Sequence, residues 1–264
     1  MFRTVYVKCL RDQRHGLLGW SVGIVALVLL ESALWPSISR IPGLRQLMDN
    51  YPEALRKLLG INDFFTGTGF LDTELYSIML PILFLVFAVS RGARAIAGEE
   101  EAGTLEVLLV TRVTPMRLLL VQAMVLLTGL VLLGTVLFAA VIAFSAIFGM
   151  HIGVGAAATG SVAMVTLAAP FGGLALAVSA ATGRRLVAVA VASVAAVAAY
   201  VLYAASKIVD AVHPWGRWSP FEQALSSGPM GAGPRPGYVW LAVVAAFFVV
   251  AALPIFDRRD IAGV

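Results

Sequence analysis

The chain has 264 residues, 60% hydrophobic and only 13% charged, with a formal net charge of +4. Soluble domains carry about 45–50% apolar and about 25% charged residues, so no soluble fold of this size has the interior to hide this much apolar surface, and lipid must cover some of it. A single cysteine, Cys9, excludes a disulfide framework, and His15, His151 and His213 lie too far apart for a zinc motif.

Residues 1–16 place Phe2, Val5, Tyr6, Cys9 and Leu10 at i, i+3, i+4, i+7 and i+8, with Arg3, Lys8, Arg11 and Arg14 between them. Two readings fit: a basic amphipathic helix lying in the headgroup region, or a positive flank that only sets topology. The first predicted span covers about residues 17–36, the length a bilayer core requires. It ends in Ser32-Ala33-Leu34-Trp35-Pro36, which lacks the small-residue cleavage pattern of a signal peptide. Glu31 is the one ionisable residue inside an apolar stretch, close enough to the outer interface to snorkel, and is a candidate for the substrate path. In the outer loop 37–74, residues 52–60 read as a short helix with proline in its first turn and glycine just past its end.

The second span is expected at about 70–90 and the third at about 117–148, long enough to tilt. The fourth, about 156–181, contains Pro170 and Gly172-Gly173, which packed neighbours can accommodate. The fifth is expected at about 186–206 and the sixth at about 238–256. Between these two, Trp215, Trp218 and Phe221 read as an interfacial aromatic belt. Ser219-Pro220 reads as an N-cap followed by a first-turn proline. Residues 228–237, with Pro229, Pro234 and Pro236, read as irregular. Thr128, Thr135, Ser145, Thr159, Ser161, Thr166 and Ser179 supply small hydroxyls that either line a path or glue helices together. Of these, Thr128, Thr135 and Thr166 join Glu31 as candidate path residues.

The expectation is an all-α membrane protein: a single transmembrane domain over 1–264, with six spans, an N-terminal interfacial helix, and a further helix between spans 2 and 3. Segments 1–16, 91–117, 182–185 and 257–264 hold 12 Lys and Arg in 55 positions, and the alternate segments hold 7 in 76. The positive-inside rule then puts both termini in the cytoplasm, here of a bacterial cytoplasmic (inner) membrane.

Residues 91–117 are the least ordinary part of the chain. Thr104 suits an N-cap, and Glu99, Glu100 and Glu101 before it suit the positive end of the helix that follows. Leu105, Leu108 and Leu109 share one face. Thr114-Pro115 then starts the third span. A short helix held between two spans, with acidic groups beside a leucine face, can dock into a groove on another protein. Its glutamates would be repelled by anionic lipid headgroups.

The run E-E-x-G-T-L-E-x-L-L-x-T-x-x-T-P-x-R-x-L-L over residues 100–120 resembles the signature loop of ABC-2 type transporter permeases, the membrane subunits of ABC exporters. The amphipathic N-terminus, P-E-x-L…L-L-G in the first outer loop and W-S-P-F before the last span agree with it. The resemblance implies that this loop is a coupling helix contacting an ATPase subunit. It would do so through Glu99, Glu100, Glu101, Gly103, Thr104, Leu105, Glu106, Leu108, Leu109, Thr111 and Arg112. Ala102 and Gln122 depart from the basic residues common at those places. The chain has no G-x-x-x-x-G-K-[ST] motif, so the P-loop would sit on a separate ATPase chain, in two copies, holding the ATP and Mg²⁺. A second permease, identical or paralogous, would complete the path. Membrane lipid is the other expected partner, and no nucleic acid is expected.

The rival classes are an intramembrane enzyme and an ion-coupled carrier. Apart from Asp72 in the backward extension of the second span before Leu75, no predicted span contains a histidine or an aspartate, which disfavours the first. Carriers usually hold ionisable groups at mid-membrane, and only Glu31 comes near this description. The expected substrate is hydrophobic or amphipathic: a drug, a lipid or a lipid-linked molecule.

Overall fold

The computed structural model describes residues 2–39, 64–101, 114–226, 228–231 and 233–259. Residues 52–60 and 102–113 therefore lie outside the described residues. So do the expected coupling residues Gly103, Thr104, Leu105, Glu106, Leu108, Leu109, Thr111 and Arg112.

All regular elements among the described residues are helices. α1 (Phe2–Asp12) leads through Gln13 into α2 (Arg14–Ile38). α3 (Gly67–Arg94) is one long apolar helix, followed by the short α4 (Ala97–Glu101). Then come α5 (Pro115–Phe148), α6 (Val154–Thr182) and α7 (Arg185–Ile208). Two short helices, α8 (His213–Gly216) and α9 (Pro220–Leu225), precede α10 (Pro236–Asp257). Among the described residues six helices, α2, α3, α5, α6, α7 and α10, are long and apolar enough to cross a bilayer. The chain is an all-α membrane protein with six spans.

α6 is the hub. It packs against α3, α5, α7 and α10, while α2 lies mainly along α5. In the most apolar stretch of each helix, 61% of α6 residues are buried against 11% of α7 and 17% of α10. The composition of α6 explains this, because small residues let neighbouring backbones come close. At Gly92 of α3, an added Cβ would collide with the Gly172 carbonyl of α6 and lie 3.0 Å from the Ala175 Cβ. The two helices thus meet backbone to backbone.

The first part of α3 is wound as a π-helix over Asp72–Met79. Pro81, two residues past it, supplies no amide hydrogen for the Ser77 carbonyl, and a wider winding absorbs that loss. Asp72 ties this end to the last interhelical loop, accepting the Met230 amide at 3.1 Å.

Ser219 caps α9 as expected, its Oγ accepting the Phe221 amide at 3.3 Å, and its hydroxyl also donates to the Ala199 carbonyl of α7 at 2.7 Å. Pro115 starts α5 as expected, but Thr114 makes no side-chain cap. The aromatic belt needs a correction. Trp215 and Trp218 are exposed, whereas Phe221 is buried among Phe171, Tyr200 and Tyr203. The capped turn points its ring inward, away from the two tryptophans. Glu31 also departs from expectation: only 7% exposed, it is buried by protein rather than snorkelling outward.

Candidate functional site

The ends of α3, α6 and α10 and the starts of α5 and α7 gather at the end of the bundle that carries α1. α4 sits among them, and the way it is attached is the main polar feature of the molecule.

The α3 helix breaks at Ala95 and Ile96, between Arg94 and Ala97. In an unbroken helix the Ala97 amide would donate to the Ala93 carbonyl. Instead the Ser179 hydroxyl of α6 is inserted between them. Ala97 donates to Ser179 Oγ at 2.9 Å, and Ser179 donates to the Ala93 carbonyl at 3.0 Å. A side chain inserted in the i→i−4 ladder is a standard cause of a kink. Ser179 is fully buried, so no water competes for either bond. Removing the hydroxyl leaves two backbone groups to find each other or stay unpaired, at about 1–3 kcal/mol for an unpaired buried group. Ser179→Ala is therefore expected to lower thermal stability in detergent; an unchanged midpoint would show that the ladder closes by itself.

Each glutamate of α4 then reaches a different place. Glu100 pairs with Arg259, beyond the end of α10, at 2.5 Å. The same guanidinium donates to the Ala180 carbonyl near the end of α6 at 3.0 Å. Gly183 closes α6 in the left-handed conformation (φ 63°), and any Cβ there would strike both Arg259 and Glu100. Only glycine meets both demands. Glu101 accepts the Arg185 amide at 3.1 Å, at the first turn of α7. That amide is one of the four a helix start leaves unpaired, and a carboxylate suits the positive helix end. Glu99 lies beside Cys9 of α1. Burial pushes the Cys9 thiol up, and the Glu99 carboxylate adds to the effect. The thiolate is correspondingly scarce at neutral pH.

α4 thus continues from α3 and is fastened to α6, α7 and the residues after α10. The family described as the multidrug efflux system permease Rv1217c, C-terminal domain, matches residues 8–257. The chain belongs to that family. No curated protein and no solved structure matches it.

As a member of an efflux-permease family, the chain is a transport permease of multi-pass architecture. The remaining sequence-derived candidates are scattered in it. Thr128 lies under α1, where Tyr6 OH is 2.8 Å from its Oγ1. Since the Thr128 hydroxyl donates to the Met124 carbonyl, Tyr6 is the donor. Thr135 and Thr166 bond back to the Val131 and Val162 carbonyls one turn earlier. Thr135 also edges an apolar groove of about 320 Å³ between α5 and α6, with Phe138, Ser161 and Val165. Glu31 stands near the opposite end of the permease from α4.

Sequence reasoning treated Ser179 as path or glue and used Arg259 only for orientation. The sole local signal was the placement of Ser179 four residues before a helix-ending Gly183.

Proposed function

We propose that the chain is the permease subunit of an ABC-2 type exporter, moving a hydrophobic or amphipathic substrate out across the bacterial cytoplasmic membrane. A separate P-loop ATPase, in two copies, binds ATP with Mg²⁺ and drives two permease subunits between inward- and outward-facing states. The end of the bundle carrying α1 and α4 faces the cytoplasm, in agreement with the excess of Lys and Arg there. The family description favours several unrelated drugs as substrates. Apolar spans with few buried charges suit such molecules.

The observation that carries this reading is the fastening of α4. A push on the loop between α3 and α5 would reach α6, α7 and the end of α10 through Ser179, Glu101 and Glu100, besides the two spans to which the loop is joined. A simple connector has no need of three such ties. The leucine face at Leu105, Leu108 and Leu109 is the proposed contact with the ATPase.

Leu105→Asp and Leu108→Asp are expected to abolish co-purification with the ATPase and drug efflux while leaving the permease folded. Burying a carboxylate in an apolar groove costs several kcal/mol, or well over a hundredfold in affinity. Normal efflux in both variants would rule out this docking face. Efflux that persists without ATP and collapses with an uncoupler would instead identify an ion-coupled carrier.

A further inference from the structure

Beneath α1 lies a cavity of about 440 Å³, which the tie between Glu101 and Arg185 borders on one side. It is walled by Cys9, Asp12 and Gln13 below α1, Arg91 and Arg94 of α3, Gly98, Glu99 and Glu101 of α4, Gln122 and Leu126 of α5, and Arg185 of α7. Five elements contribute, and Leu126 is its one large apolar side chain.

Its charges are unevenly satisfied. Glu101 already accepts the Arg185 amide. Arg91 is half-buried and has Arg94, one helical turn on, as a like-charged neighbour. Neither guanidinium donates to a carboxylate among the described residues, nor does that of Arg185. Asp12, Glu99 and Glu101 offset the three guanidiniums in the cavity as a whole, but neither Arg91 nor Arg94 is bonded to one of them, so the adjacent pair is left to take an exchangeable anion. Guanidinium forks are well matched to phosphate, which they bind through paired hydrogen bonds. Gln13 adds a second demand, since its buried Oε1 has no donor among the described residues. A ligand bearing both a phosphate and a neighbouring hydroxyl or ammonium group would meet both.

We infer that this cavity is a phosphate-binding site anchored by Arg91 and Arg94, filled by the headgroup of a phospholipid or by a soluble phosphate. The volume suits a headgroup, and the cavity's charged lining lies where α1 packs along α5, at the end of the apolar spans. The inference concerns binding alone and stands whether or not an ATPase drives the permease.

The test uses the purified full-length chain, stripped of lipid and re-supplied with dioleoylphosphatidylglycerol or with dioleoylglycerol, which has the same chains and no phosphate. Bound molecules are counted by native mass spectrometry. The wild type is expected to prefer the phospholipid by about tenfold or more, as charge-assisted paired bonds allow. R91Q/R94Q should lose that preference, and R217Q, at the opposite end, should keep it. Displacement of the lipid by millimolar inorganic phosphate, or binding of phosphate alone, supports the same site with a soluble source. If the double variant elutes as aggregate, R94Q alone, on an exposed side chain, should still lower the preference severalfold. Equal retention of the two lipids by wild type together with no binding of inorganic phosphate, or an undiminished preference in a folded R91Q/R94Q or R94Q, would overturn the inference.

Discussion

Glu100→Gln is expected to cut drug efflux by about tenfold or more while the permease still inserts and elutes as a single species. The Glu100 and Arg259 side chains are only 19% and 17% exposed, so the pair gains more than a surface ion pair would. Charge-assisted bonds of this kind contribute about 1.5–3 kcal/mol. Spent on the position of α4, that is a coupling energy worth about 10–150-fold. Arg259→Gln should behave alike, because it loses the Ala180 carbonyl as well as Glu100. The double variant should be little worse than either single one, since the two side chains act through one interaction. The informative measurement is efflux per ATP hydrolysed in reconstituted vesicles. A loss of efflux with ATP hydrolysis retained would place the pair in the transmission of force. Unchanged coupling in both single variants would make it a structural brace only.

The second large effect is expected at Gly92. Here α3 and α6 touch through their backbones, and a side chain would collide with the Gly172 carbonyl and press on Ala175 and the Leu176 amide. Gly92→Ala must open this contact, at about 1–3 kcal/mol for overpacking. That corresponds to a fall of about 2–4 °C in melting midpoint per kcal/mol in a protein of this size. Gly92→Leu should leave almost no folded protein after detergent extraction. Gly19 of α2 provides a control, because a Cβ there meets nothing within 4 Å. Gly19→Ala should melt with the wild type. A Gly92→Leu protein as stable as the Gly19→Ala control would contradict the close packing of α3 on α6.

The spans were legible in the sequence because a bilayer imposes a length and an apolar composition that soluble segments rarely reach. The turn at Ser219-Pro220 was legible for a local reason, since a cap and a first-turn proline are fixed by neighbours in the chain. What sequence reasoning missed is long-range. Ser179 acts on Ala93 and Ala97, and Glu100 on Arg259, more than 80 and 150 residues apart respectively. No periodicity relates such positions. The three glutamates were read as partners of the helix after them, because only sequence neighbours could be considered. Glu100 and Glu101 are also ties of α4. Phe221 and Glu31 were misplaced for a related reason: residue type predicts a preferred depth in the membrane, but the face that packs inward depends on the fold.

The central place of α6 has a consequence for how the protein is made. Membrane helices are inserted first and associate afterwards. When the first three spans have left the ribosome, α3 presents Ala88, Gly92 and Ala93, all later covered, with no partner yet synthesised. Only the arrival of α6 covers that strip, and α7 and α10 close around it last. A chain halted after its third span would therefore expose a narrow small-residue seam open to foreign helices, and quality-control proteases would meet it before any permease existed.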